Sequence, residues 1–352
     1  MLSDLAQQHA RSDQRRSWRA FVDATLVQFV LFPATVGIVL CQGFIWLKPA
    51  AVWAAVWEHF ALQLAGAALV TALLALLLRR WIWAGVLVAL AATHALPVLP
   101  SWGDDNVAAR PERLRVVSAN LYYFATDEAA TIAMLRNSGA DIIGLVEVTP
   151  AWQKAVGTLA DIYPYRVDCY SVAPDCENIL LSRLPLSNPR AGRLETDAPM
   201  LVAGDLQWQG RPMTVAATHI TWPLSPAMNE RTGLVSNVDD VPLLVGSLPA
   251  TRQVEQAEAL ARVLARLPAD LVLMGDMNST PWSRMQRALR AATGLENAAG
   301  WRLSWPSWLP AFLRLPIDHV LARGDLVVTS FVAGPKTDSD HLPVIAEIGW
   351  RQ

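Results

Sequence analysis

Three long stretches of the chain carry no charged side chain, at residues 24–47, 60–78 and 81–97. Each reaches or approaches the roughly 20 apolar residues that a membrane-spanning helix needs. The last two are separated only by Arg79 and Arg80, a continuity foreign to soluble helices. The pattern therefore predicts a three-helix transmembrane anchor within residues 23–100, after an N-terminal segment of residues 1–22. Past about Pro100 the pattern changes, and a polar linker at 101–110 leads into residues 111–352. There the apolar runs are short, often β-branched and bounded by turn formers: RLRVVSANL, ADIIGLVEV, ENILLSR, MTVAATHI, ADLVLMGDM, IDHVLA and PVIAEI. They read as strands. DEAATIAMLRNSGA and TRQVEQAEALARVLARLPAD read as helices, the second with apolar residues three and four apart. Strands mixed with helices point to an α/β layered domain. Residues 224–249 carry no motif and read as an inserted surface loop.

Composition agrees with an anchored protein. Of the 352 residues, 53 % are hydrophobic and 17 % charged, against averages of roughly 45–50 % and about 25 % in soluble domains. A disordered, collagen-like or disulfide-dense chain is excluded by this apolar excess, by 19 glycines and by 3 cysteines. Orientation follows from the basic residues. Arg11, Arg15, Arg16 and Arg19 precede the first apolar stretch, and Arg79 and Arg80 link the second and third. Short loops rich in Arg and Lys stay in the cytoplasm, and only Lys48 pulls the other way. Three crossings then place residues 111–352 on the periplasmic or extracellular side of the plasma membrane. No small-residue cleavage site follows the first stretch, which is also too long for the core of a cleavable signal. Cys169 and Cys176 stand seven apart and in an oxidising exterior could close a small loop. Residues 111–352 hold 21 Lys plus Arg against 25 Asp plus Glu. That acidic balance argues against a domain that grips duplex DNA regardless of sequence.

Candidate chemistry lies where the strands end. Asn120 closes VVSAN, Glu147 closes IIGLVEV, His219 closes VAATH, and Asp276 and Asn278 close LVLMGDMN. Asp318 and His319 stand in IDHV, and Asp340 and His341 in SDH. In an α/β sandwich such positions can converge on one edge. Carboxylates and amide oxygens suit a hard divalent cation such as Mg²⁺, and the lack of cysteine argues against structural zinc. A carboxylate beside an imidazole fixes its tautomer and raises its basicity, as acid–base chemistry near neutral pH requires.

The series SANLYY, GLVEVTP, NILLSR, ATHI, GDMNSTPWS, IDHVL, SDHLPV resembles the motifs of the endonuclease/exonuclease/phosphatase superfamily across nearly all of residues 113–348. That group includes pancreatic deoxyribonuclease, bacterial sphingomyelinases and inositol polyphosphate 5-phosphatases. The resemblance implies a four-layered α/β sandwich with two central β-sheets and Mg²⁺- or Mn²⁺-dependent hydrolysis of a phosphate ester. It makes Asn120, Glu147 and Asp340 the metal-binding residues and Asp276 the group that orients or deprotonates water. Asn278 becomes a phosphate-contacting amide and His341 the histidine close to the scissile phosphate. Asp318 pairs with a second histidine, His219, and Arg183 touches phosphate. His319 is read as structural. His219 stands where repair-type exonucleases carry tyrosine, which turns the reading away from abasic-site repair.

The reading that follows is a membrane-anchored phosphoesterase acting on a phosphate mono- or diester, lipid-linked or otherwise exported. The tethered layout resembles outward-facing phosphoesterases linked to glycopeptide resistance. Trp301, Trp305, Trp308 and Phe312 add aromatic character suited to a membrane interface. A tethered nuclease is the alternative, and an inactive binding module is disfavoured because the ligand and acid–base positions all keep competent residue types.

Overall fold

A computed structural model describes residues 14–18, 20–47, 52–101, 108–173, 176–223, 251–297 and 300–352. Most of the expected linker and the whole insertion at 224–249 lie outside the described residues. The chain divides into two compact units, Met1–Pro49 with Phe60–Pro97 and Ala50–His59 with Val98–Gln352. Ahead of the strands come α1 (Phe32–Leu47), α2 (Val52–His59), α3 (Ala61–Leu77) and α4 (Trp81–Ala95). Of these, α2 belongs to the second unit although the sequence reading counted it with the anchor.

Two helices among the described residues, Gln14–Gly43 and Trp81–Ser101, are long and apolar enough to cross a membrane by length and composition. The stretch at 60–78, expected as a third span, forms the 17-residue α3. It is shortened by turns at Phe60 and Leu78, the latter leading into Arg79 at φ 57°. The α3–α4 pair is built from small residues inside and large ones outside. Ala61, Ala65, Ala68, Ala72 and Ala75 are buried, as are Ala84, Leu87 and Ala91 of α4. Leu69, Val70, Leu73, Leu77, Trp81 and Ile82 are exposed. In water that distribution is inverted, whereas close packing through small residues is how helices associate in lipid.

The second unit is built on two six-stranded sheets. The strands expected from the apolar runs are β1 (Leu114–Asn120), β2 (Ile142–Val146), β4 (Ile179–Ser182), β7 (Arg211–Thr218), β8 (Leu271–Asp276), β10 (Asp318–Arg323) and β12 (Val344–Trp350). The sequence reading missed β3 (Tyr165–Asp168), β5 (Ser187–Gly192), β6 (Leu201–Trp208), β9 (Glu296–Asn297) and β11 (Leu326–Ala333). Both expected helices form, as α5 (Glu128–Asn137) and α7 (Thr251–Ala265), together with α6 (Pro150–Gly157) and α8 (Arg284–Thr293).

Central strands here are buried on both faces, which is why they read as continuous apolar runs rather than alternating ones. In β1, Val116 joins a core shared with Val215, Met274 and Val320 of the other sheet. Its neighbour Val117 packs on the opposite face with Leu135 of α5 and Trp152 of α6. The second sheet is covered in the same way, Ala216 and Leu273 meeting Leu260 of α7 and Leu289 of α8. Helix, sheet, sheet, helix gives four layers. Gly144 of β2 faces the other sheet, where a Cβ would stand 2.7 Å from Met274 of β8. Cys169 and Cys176 form a disulfide with their Cα atoms 5.5 Å apart, within the usual range for such a bridge.

Candidate active site

Strand direction decides which residues meet. β1 and β2 run parallel, so Asn120 and Glu147 leave the first sheet at the same edge. β12 runs antiparallel to β1, which brings Asp340 and His341, just before it, to that edge as well. In the second sheet β7 and β8 are parallel, and β10 is antiparallel to β8 with Asp318 opposite Asp276. His219, Asp276, Asn278 and Asp318 therefore gather at one edge too, and side-chain contacts join the two sets.

Asn120 is the bridge. Its Nδ2 donates to Glu147 Oε1 at 2.7 Å and to Asp276 Oδ2 at 3.1 Å. Its Oδ1 accepts from the Tyr122 amide at 2.9 Å, which fixes the orientation of the side chain. Asn120 thus turns its nitrogen toward the carboxylates and keeps its oxygen on the backbone, a different use from the expected oxygen ligand. Glu147 also accepts the Tyr123 amide at 3.2 Å. Glu147 and Asn278 both hold left-handed backbone, at φ 56° and 46°, which non-glycine residues adopt only when their surroundings dictate it.

His341 is the centre of charge. Its Nδ1 lies 2.8 Å from Asp318 Oδ2, and its Nε2 lies 3.6 Å from Asp276 Oδ2 and 3.9 Å from Asp340 Oδ1. The expected partner of Asp318 was His219, and the structure gives it His341 instead. Burial alone pushes the imidazole down, but the charges of Asp318 and Asp276, the hydrogen bond with Asp318, and Asp340 hold it up at about 10. It is therefore a cation at neutral pH. Burial pushes Asp276 up to about 6 against the pull of His341, with Asp318 adding to the rise. Glu147 is pushed up to about 7, first by burial and then by Asp340 and Asp318, against the Asn120 hydrogen bond and His341.

His219 has the opposite character. Asn278 Nδ2 donates to Ile220 O at 3.0 Å, which fixes the amide and makes the same nitrogen the donor to His219 Nε2 at 3.1 Å. A ring nitrogen that accepts is unprotonated, in keeping with burial lowering the pKa of His219 despite Asp276 nearby. Asn278 itself is held by its own N–H on Asp276 Oδ1, 2.8 Å away. His319 is buried and its Nε2–H donates to Ser279 O at 2.7 Å, so it supports the loop from behind.

Gly275 makes the approach of β8 to β7 possible. At φ +142° its missing Cβ would fall 1.8 Å from the Thr218 carbonyl oxygen. Gly275→Ala is expected to destabilise the protein by about 2–4 kcal/mol and to displace Asp276. A lowered thermal midpoint checks this, and an unchanged one would show that β8 has room to move.

Arg183 is not at this site. β4 runs antiparallel to β2, with Ser182 opposite Ile142, so the end of β4 points to the other edge of the sheet. There Arg183 lies over the Tyr163 ring, 5.4 Å from its centre. Several residues of the site were not read from the sequence as part of it, Trp305 having been counted only among aromatics suited to a membrane interface. Trp305 Nε1–H donates to Asp340 Oδ2 at 3.0 Å, and Trp222 meets Trp305 edge-on at 6.1 Å. Ser339 Oγ donates to Asn120 O at 2.8 Å, stitching the two loops. Gln253 Nε2 donates to Thr221 O and Asn278 O, both at 3.0 Å. A polar residue on the buried face of the α7 pattern was the only hint of the last.

A cation site is legible in the donor set. Glu147, His219 and Asp276 offer atoms all within 4.8 Å of one another. Asp340 Oδ1 is buried with no hydrogen-bond partner among the described residues. Crowded oxygen ligands, two of them orphaned since Asp318 Oδ1 is in the same position as Asp340 Oδ1, suit a hard divalent ion.

Solved structures share this architecture. An endonuclease/exonuclease/phosphatase protein from Bacteroides vulgatus matches 68 % of this chain and all of its own, at 15 % identity and a TM-score of 0.52. A humanized Danio rerio TDP2 matches 67 % of this chain and 99 % of its own, at 12 % identity and 0.50. Sphingomyelinase C from Streptomyces griseocarneus covers the same shares at 17 % identity and 0.48. At these identities the likeness is one of fold. No curated protein sequence matches the chain. The family model for the Endonuclease/Exonuclease/phosphatase family matches residues 117–341, well over half the chain, and the chain belongs to that family.

Proposed function

We propose that the protein is a membrane-anchored, divalent-metal-dependent phosphoesterase that hydrolyses a lipid-linked phosphate ester on the outer side of the membrane. The observation that carries the hydrolase reading is the meeting of Glu147, Asp276 and the Asp318–His341 pair at one edge of the sandwich, through contacts of 2.8–3.8 Å.

Glu147 and Asp340 would hold Mg²⁺ or Mn²⁺, with Asn120 spacing the carboxylates. When bound, such an ion neutralises charge on phosphoryl oxygens. The remaining chemistry belongs to the chain. Asp276 orients a water and takes its proton as the water oxygen bonds to phosphorus. His341, kept cationic by Asp318, donates a hydrogen bond to the phosphoryl oxygen where negative charge grows. Asn278, whose two amide hydrogens go to Ile220 O and His219 Nε2, holds the His219 ring in position beside Asp276. The bond to the leaving oxygen breaks opposite the entering water, and its electron pair departs with that oxygen.

Membrane anchoring is supported by the inverted α3–α4 pair and by the position of α2. Because α2 and residues 98–352 form one compact unit, a bilayer crossed by α3 and recrossed by α4 leaves both on the same face. Arg79 and Arg80 then stand at the cytoplasmic turn, and the Cys169–Cys176 disulfide suits an oxidising exterior. A lipid-linked substrate is supported by the exposed aromatic side chains Tyr123, Phe124, Trp222, Trp308 and Phe312. Of these, Tyr123 and Trp222 adjoin the site through Glu147 and Trp305.

The test is a substrate panel. Full-length protein stripped with EDTA and reloaded with Mg²⁺ or Mn²⁺ is offered a polyprenyl pyrophosphate, bis(p-nitrophenyl) phosphate and plasmid DNA. The expected result is metal-dependent turnover, fastest on the lipid. DNA as the fastest substrate would favour the nuclease reading, and no turnover of any would favour a binding module.

A further inference from the structure

The short helix between the first two apolar stretches packs with the sandwich and ends on the loop that follows Asp276. His59 of α2 is buried, and its Nδ1 accepts the Thr280 backbone N–H at 3.2 Å with Thr280 Oγ1 at 3.1 Å. The carbonyl oxygen of Glu58 accepts Trp282 Nε1–H at 2.9 Å. Its carboxylate accepts the Arg284 backbone N–H at 3.1 Å and Arg284 Nε–H at 3.0 Å. Arg284 is the first residue of α8, so an acidic group here also meets the positive end of that helix.

The same loop is gripped from within the sandwich. Gln253 holds Asn278 O and His319 holds Ser279 O. Residues 278, 279, 280, 282 and 284 are thus fixed in turn, the first two by the sandwich and the last three by α2. A clamp on this loop has a reason to exist, because Asn278 holds left-handed backbone while its side chain fixes His219 and its N–H fixes Asp276.

We propose that Glu58 and His59 are positioning residues for the catalytic loop, so that α2 completes the active centre and does more than join two apolar helices. The proposal rests on the phosphoesterase reading of the site. A connector would hold the sandwich near the anchor without altering turnover. A positioning element alters kcat, since small displacements of a reacting group are costly in rate.

The experiment uses the full chain in detergent, with bis(p-nitrophenyl) phosphate and Mn²⁺ and with amide hydrogen exchange read by mass spectrometry. His59→Ala is expected to lower kcat by about 10- to 100-fold, with KM little changed and faster exchange across 277–284. His59→Asn, whose Oδ1 can accept the Thr280 N–H, is expected to restore most of the turnover. Glu58→Gln is the milder second variant should His59→Ala fail to fold, and it is expected to lower kcat in the same sense. Unchanged kcat in a folded His59→Ala or Glu58→Gln protein overturns the proposal, whether or not exchange rises. Asp276→Asn run alongside separates the two readings. Turnover that survives that change refutes the role given to Asp276 in the site, whereas a dead Asp276→Asn beside a fully active His59→Ala refutes only the role of α2.

Discussion

Asp276→Asn is expected to lower kcat by about 1,000- to 10,000-fold while leaving the protein folded. The amide keeps the shape of the side chain and an oxygen for the Asn278 N–H, 2.8 Å away in the native protein. What it loses is the capacity to take a proton from water, together with Oδ2 as the acceptor of the Asn120 amide 3.1 Å away. Stability should not fall with activity. Burial and the neighbouring Asp318 already raise the pKa of Asp276 to about 6, so its charge is held at a cost to the fold. An Asn at this position relieves that crowding, and the thermal midpoint of the metal-free variant is expected to equal or exceed that of the wild type. Steady-state kinetics and a thermal scan check both halves. Turnover within tenfold of wild type would mean that another group accepts the proton.

Without divalent ions the protein is expected to lose thermal stability as pH rises from 5 to 9. Glu147 and Asp276 have folded pKa values of about 7 and about 6, above their ordinary 4.5 and 3.8. Each stabilises most when protonated, so its contribution is complete below pH 4 and disappears as pH climbs through the folded value. His341 acts in the same direction over a higher range. Its contribution is complete below 6.5 and is lost as pH rises through about 10. His219 opposes them, because its lowered pKa gives stability above 6.5 that is lost as pH falls through the folded value. A divalent cation competes with protons for the carboxylates and should therefore stabilise more at pH 8 than at pH 5.5. At one hundred times its Kd an ion adds about 2.7 kcal/mol, a rise of roughly 5–10 °C in Tm. Tryptophan fluorescence during heating, with EDTA or Mn²⁺ at each pH, measures this. An identical metal-induced shift at both pH values would count against Glu147 and Asp276 as the groups that feel the ion.

Much of the fold and of the site was legible in the sequence, for a definable reason. Strands such as VVSAN and LVLMGD are buried on both faces, so they stand out as apolar runs, and their polar last residues stand out against them. Parallel pairing of β1 with β2 and of β7 with β8 then carries Asn120, Glu147, His219 and Asp276 to one edge. Spacing alone does not give strand direction, however. Arg183 was misplaced because β4 runs against β2. Asp318 was paired with the wrong histidine because the partner depends on which loops fold over the edge. β5, with the sequence SNPRAG, lies at the margin of its sheet and carries exposed polar residues and a proline, so its pattern resembles a loop. The stretch at 60–78 reads as one apolar run, but the turns at Phe60 and Leu78 that bound its 17-residue helix depend on backbone angles that composition does not reveal.

The division of the chain also governs how a water-soluble version must be made. The body that carries the sandwich is interrupted, since it holds residues 50–59, gives way to the apolar hairpin, and resumes at Val98. A fragment starting at Val98 discards a piece of that body. Excising 60–97 and splicing His59 to Val98 through a flexible polar spacer would retain it.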